Sequence, residues 1–216
     1  MKLDTASLLI KILSCEKGLK DDTSGATHAS QQTDRIQSTI PDRELLQLIC
    51  RLQNLHVKAR DESIISATTI SQGLRLWENI DKWEGFDCDH PASLCNGEAE
   101  LRWLYKSSLF IWLHLIIYPR SIDSEKLQNL VAPGMEFLGS KSVFQSPELL
   151  LFPIFFHGLG SNEEIGRQLT AEALESLRSD IDEAHLEICE ATLRWCWDNY
   201  DNEVDKSWDW TNRAAS

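Results

Sequence analysis

Basic side chains are the scarce charge in this 216-residue chain, with 21 Lys and Arg against 34 Asp and Glu and a net charge of −13. The imbalance is uneven: residues 1–60 carry nine basic and seven acidic side chains, which leaves twelve against twenty-seven for the rest. Phosphate backbones attract cationic surfaces through counterion release. A body this acidic repels DNA, so no direct nucleic-acid contact is expected. Long apolar runs are also missing. LFIWLHLIIY (109–118) has ten residues with His114 among them, and LLLFPIFF (149–156) has eight with Pro153 inside. A bilayer span needs about 20. Near the N-terminus, LLIKIL is interrupted by Lys11 and lacks a small-residue cleavage site, so neither a membrane nor a secretory route is expected. The six cysteines form no C-x-x-C pair, which suits reduced thiols in a nuclear or cytosolic setting.

Catalytic signatures are absent as well. There is no G-x-S-x-G elbow and no H-E-x-x-H, and Gly158, Gly160 and Gly166 follow neither the dinucleotide nor the Walker spacing. The acidic pairs Glu163-Glu164 and Asp182-Glu183 fall in first helical turns, where they complement the helix dipole. No set of acid, base and nucleophile emerges, so the expectation is a protein that is not an enzyme and uses no cofactor. Cys88, His90 and Cys95, with Asp87 and Asp89, are zinc-ligand types, but the two thiols stand seven positions apart around Pro91. A solvated acidic loop accounts for them better than a metal. His185, Cys189 and Cys196 share a helical face, yet the cysteines are roughly 10 Å apart along the axis, too far for one ion. Packing is the expectation there, and His114 and His157 read as hydrogen-bonded core histidines.

What the chain does have is helical periodicity. Leu45, Leu48, Ile49, Leu52 and Leu55 follow the i, i+3, i+4 pattern behind Pro41, which marks an amphipathic helix. A second is expected over 63–83 with Ile70, Leu74, Trp77 and Ile80 on one side. A third follows Asn96-Gly97 and ends at Pro119. Further helices are expected near 123–138, 148–158, 162–179 and 181–200. Inward stripes would come from Ile165, Leu169 and Leu177, then Ile181, Ala184, Ile188 and Trp195. Ser161 and Glu164 have the spacing of a capping box. No hairpin signal stands between alternating segments. The fold class is therefore all-α, an irregular array of about six to eight helices. Residues 1–40 read as an N-terminal helix plus a polar flexible linker, and 41–216 as one helical domain.

The chain is rich in tryptophan, with eight. Trp77, Trp83, Trp103 and Trp112 are expected as core anchors. Trp195, Trp197, Trp208 and Trp210 are interleaved with Asp198, Asp201, Glu203, Asp205 and Asp209. That pattern suits either a tail packed back on the body or an acidic activation segment, and burial of Trp208 and Trp210 decides for the first.

Several segments also line up in order: PDRELLQLICRLQNL, LRLWENIDKWEGF, ELRWLYKSSLFIWLHLIIYP, LLFPIFFHGLGSNEEIGRQL and LRWCWDNYDNEVDKSWDW. Together, over about residues 41–213, they resemble the C-terminal half of the fungal-specific transcription factor domain, the helical region of fungal binuclear zinc-cluster regulators. The resemblance implies a structural helix break at Pro153, His157, Gly158 and Arg167, and a nuclear regulator acting through protein contacts or a small-molecule effector. On the residues alone, Pro153 would free a carbonyl and Gly158 would close the helix. The zinc cluster, its basic residues and the first half of the helical domain have no counterpart here, so DNA binding does not carry over. The partner would be a transcription factor or co-regulator protein covering an apolar face. A helical small-molecule receptor is the alternative, with Trp103, Trp112, Phe155 and Phe156 lining the ligand site. An inactive fragment of a longer zinc-cluster regulator is another.

Overall fold

The computed structural model describes residues 43–85, 98–139, 147–204 and 208–210. The N-terminal helix and linker expected over 1–40, and the cysteine-containing loop around Cys88 and Cys95, lie outside the described residues. Helix α1 (Arg43–Asp61) buries Leu45, Leu48, Ile49, Leu52 and Leu55, as their spacing requires, and adds His56 and Ala59. Its last turn carries Lys58 and Arg60, which oppose the negative end of the helix dipole. Helix α2 (Ala67–Lys82) starts at Ser66, whose hydroxyl oxygen accepts from the Thr69 amide at 3.2 Å. Glu62 then accepts from the Ser66 amide, the Ser66 hydroxyl and the Thr69 hydroxyl within 2.9 Å. These bonds, the backbone one first, hold the Glu62 carboxyl below its usual range.

The remaining helices are α3 (Glu98–Ile117), α4 (Glu125–Gly139), α5 (Leu151–Leu159), α6 (Glu164–Ser176) and α7 (Glu183–Asp201), with a short 3-10 turn at Pro147–Leu150. All regular structure among the described residues is helical, an all-α array of seven α-helices. Helix α3 is the central post. It is buried on nearly every side and packs against α1, α2, α4 and α5. Its two inward serines, Ser107 and Ser108, satisfy their hydroxyls on the Leu104 carbonyl. Helix α5 is buried from end to end and packs on α3, α4, α6 and α7. A length of nine residues suits a core segment enclosed by other helices.

Four expectations need correction. In α2 the buried face is Thr69, Gly73, Leu76 and Ile80, not the expected side, of which only Ile80 turns inward. Gly73 decides this: a Cβ there would meet Ile117 Cδ1 at 2.7 Å, so the backbone of α2 presses directly on α3. Of the stripe expected for α6, Leu177 is buried and Leu169 half-buried, but Ile165 is 70% exposed and Thr170, Ala173 and Leu174 turn inward with them. Of the next, Ile181 is buried and Ile188 and Trp195 are half-buried, but Ala184 is exposed, and Leu186, Cys189, Thr192, Leu193 and Cys196 form the inner face of α7. Ser161 forms no capping box. The N-cap of α6 is Glu163, without a side-chain cap bond, while the buried Ser161 hydroxyl donates to the His157 carbonyl at 2.9 Å and closes α5 instead.

The helix break also works differently from the expectation. Pro153 sits in the first turn of α5, where its missing amide has no intrahelical acceptor to lose, so it starts the helix rather than interrupting it. Gly158 lies inside α5 and the helix ends at Gly160. The value of Gly158 is proximity, since a Cβ would meet Thr170 Cγ2 at 2.5 Å and Leu193 Cδ1 at 3.4 Å. Its carbonyl accepts from Trp197 Nε1 at 2.9 Å, tying α7 to α5. Arg167 reinforces the same corner through a two-pronged pair with Asp201 at 2.6 and 2.7 Å, and its guanidinium lies 5.6 Å from the Trp197 ring centre.

Candidate functional site: the outer face of α2 and α3

The rotation of α2 that buries Gly73 leaves its large side chains outside. Ile70, Leu74 and Trp77 follow one another at i, i+4 and i+7, and are 40%, 64% and 47% exposed. The Trp77 ring lies across Phe110 of α3, with centroids 4.4 Å apart and planes at 41°. Trp103 stands seven residues before Phe110, on the same side of α3, and is itself exposed. Helix α2 thus presents a row of isoleucine, leucine and tryptophan to solvent, and α3 adds a separate exposed tryptophan about 10 Å along its axis from Phe110. Tryptophan is the residue most enriched at the energetic centres of protein interfaces, and apolar residues standing together on a surface mark contact sites more often than scattered ones do.

The buried polar groups have other work. Trp112 Nε1–H donates to His56 Nδ1 at 3.0 Å, so that nitrogen carries no proton, and Nε2–H donates to Asp209 Oδ1 at 2.8 Å. Burial holds the His56 pKa below its ordinary value and outweighs the opposing effect of Asp209. Both ring nitrogens are engaged, which leaves no lone pair to take a substrate proton. The cluster instead brings the C-terminal segment back onto the body. Trp208 and Trp210 are both buried, with rings 4.8 and 4.4 Å from that of His56. The packed-tail reading therefore stands and the activation segment is withdrawn.

His157 is fully buried, with Ser107 Oγ 3.0 Å from its Nε2. The pair has the composition of a base and a nucleophile, but Ser107 Oγ–H is also within reach of the Leu104 carbonyl at 3.0 Å and neither side chain meets solvent. Burial pushes the His157 pKa down to about 3. His114 is half-buried and paired with Ser124 Oγ at 3.1 Å. Cys189 and Cys196 are both buried, and burial raises the Cys189 pKa. Among the described residues no cluster of His, Cys, Asp and Glu has metal-binding geometry.

Of the four aromatic residues expected around a ligand, three come together. Trp112 stacks on Phe156 at 4.8 Å, and Phe155 meets Phe156 edge-on at 5.2 Å. The Trp210 ring lies 5.5 Å from each of the three, so the chain's own tail fills the space between them. Trp103 lies apart from this group, on the surface, with its ring 6.3 Å from His157. The outer face of α2 was hidden from sequence reasoning because the period of Ile70, Leu74 and Trp77 is the same for an inward stripe and an outward one. Gly73 beside them was the available signal.

Among the described residues no helix is long and apolar enough to cross a membrane. The chain matches no model of a known protein family, no curated protein and no solved structure.

Proposed function

We propose that the chain is a nuclear regulatory protein that works by binding another protein through the outer face of α2 and α3. The observation that carries this reading is the row Ile70, Leu74 and Trp77, which stands open on α2 with Trp77 lying against Phe110 of α3. Its support from sequence is the ordered resemblance to the second half of a fungal transcription factor domain. An open apolar ridge is where a domain of a partner regulator would lay an amphipathic helix. The partner is thus a helical regulatory domain, and the net negative charge keeps the chain itself off DNA.

The test is a reporter assay in yeast. The full chain is fused to a heterologous DNA-binding domain, alongside the variant L74E/W77E. Leu74 is exposed but Trp77 also covers Phe110, so the variant should lose about 1–3 kcal/mol and remain folded, which its circular-dichroism spectrum and Tm check. The expected result is nuclear accumulation and a reporter change of about fivefold or more that the variant abolishes. Exclusion from the nucleus, or an identical reporter signal from both proteins, overturns the proposal.

A further inference from the structure

A different surface has the opposite chemistry. Between α1 and α2 runs a cleft of about 400 Å³, a size within the range of small-molecule sites. Its polar lining is Arg51, Asn54 and Lys58 from α1 and Gln72, Arg75 and Asn79 from α2, over a floor of Leu55 and Leu76. No carboxylate lines it, in a protein of net charge −13. Among the described residues Arg51, Lys58 and Arg75 enter no ion pair within 4.0 Å, a state they share with Arg43, Lys82, Arg102 and Lys126, but only these three line one cleft together. Lys58 is placed by a 3.0 Å bond from its Nζ to Gln72 Oε1, which joins the two walls. Arg51, Lys58 and Arg75 line one cleft with no carboxylate on its walls, although Glu62 lies near Lys58 at its edge, so an anion placed in the cleft is attracted by all three cations.

The lining also specifies what kind of anion. Arg51 and Lys58 stand two helical turns apart, about 10 Å along α1, and Arg75 faces them from α2. This suits a molecule with more than one anionic group. Guanidinium groups pair with phosphate through two parallel bonds. Asn54, Gln72 and Asn79 each offer donors and an acceptor, as hydroxyl groups require. The two leucines suit the C–H face of a sugar ring or polyol chain. No aromatic side chain lines the cleft, so a nucleobase has nothing to stack on.

The geometry points to a binding site for a small phosphorylated sugar or polyol carrying at least two anionic groups, held by Arg51, Lys58 and Arg75 and oriented by the three amides. This inference stands apart from the regulatory reading, since the cleft and the apolar ridge use different residues of α2.

The test is calorimetric titration of the full chain with fructose 1,6-bisphosphate, inorganic phosphate, citrate and fructose, each up to about 5 mM. Fructose 1,6-bisphosphate should bind saturably, one molecule per chain, with inorganic phosphate at least about tenfold weaker and fructose silent. R51Q/R75Q should weaken the bisphosphate by about tenfold or more with an unchanged circular-dichroism spectrum and Tm, as both arginines are exposed. R194Q, on the distant α7, and L74E/W77E should leave it unaltered, so that loss of the docking face and loss of the cleft are read separately. Three outcomes overturn the inference: no saturable heat with the bisphosphate, equal affinity in wild type and R51Q/R75Q, or citrate binding more tightly than the bisphosphate. Binding of a polyglutamate peptide alone would likewise overturn it and reassign the cleft to a protein ligand.

Discussion

Acid should unfold this protein through His157. The ring is fully buried and burial alone lowers its pKa from 6.5 to about 3, so it stays neutral in the fold over a pH range in which the unfolded chain has already taken up the proton. Its contribution is intact above pH 6.5 and is lost as pH falls from 6.5 toward 3. At pH 4.5 the unfolded state is favoured by about two powers of ten in proton binding, or about 2.7 kcal/mol. That is a large part of the roughly 5–15 kcal/mol by which a domain is stable. Urea unfolding followed by tryptophan fluorescence at pH 7.5 and 4.5 measures it, in wild type and in H157Q. The substitution carries its own cost at both pH values, so the informative quantity is the difference in acid-induced loss. H157Q should lose about 2.7 kcal/mol less than wild type between the two conditions. A residual slope will remain, because burial also lowers the pKa values of His56 and His114. Equal acid-induced losses in the two proteins would refute the assignment of His157 as a neutral buried base.

Two further substitutions test the packing. G158A places a methyl group against Thr170 Cγ2 and should destabilise by about 1–3 kcal/mol, read as a lower urea midpoint. T170S removes that Cγ2 atom, so G158A/T170S should recover part of the loss, and strict additivity would show that the contact does not matter. W210A empties the space between Trp112, Phe155 and Phe156, and should cost about 3–5 kcal/mol by thermal unfolding. A loss below about 1 kcal/mol would mean that the tail contributes little to the core.

Helix positions were readable from local pattern. Pro119 stops α3 just where the sequence suggests, and the leucine spacing of α1 identifies both the helix and its buried face. The inner face of α1 was legible because its opposite side is polar, with Arg51, Asn54 and Lys58 leaving a single apolar stripe. Helix α2 offered two possible faces. One carries Ile70, Leu74 and Trp77, and the other Thr69, Gly73, Leu76 and Ile80. Transfer free energy alone favours burying the first. Close contact of Gly73 with Leu113 and Ile117 favours the second, and that contact depends on which helix lies opposite. The same limit applies to the basic cleft: Arg51 and Arg75 are unremarkable in their own helices and converge only because α1 and α2 pack side by side.

Local spacing, turn chemistry and charge were enough to establish an all-α chain, the bounds of most of its helices and an acidic surface. These depend on interactions within about one or two turns. The tertiary arrangement decided which side of α2 faces water, that Gly158 serves close packing rather than helix termination, and that Asp209 meets His56 across 153 positions of sequence. Such contacts are selected by the shape and polarity of surfaces that do not exist until other helices have assembled. A residue's own neighbours in the chain carry no record of them.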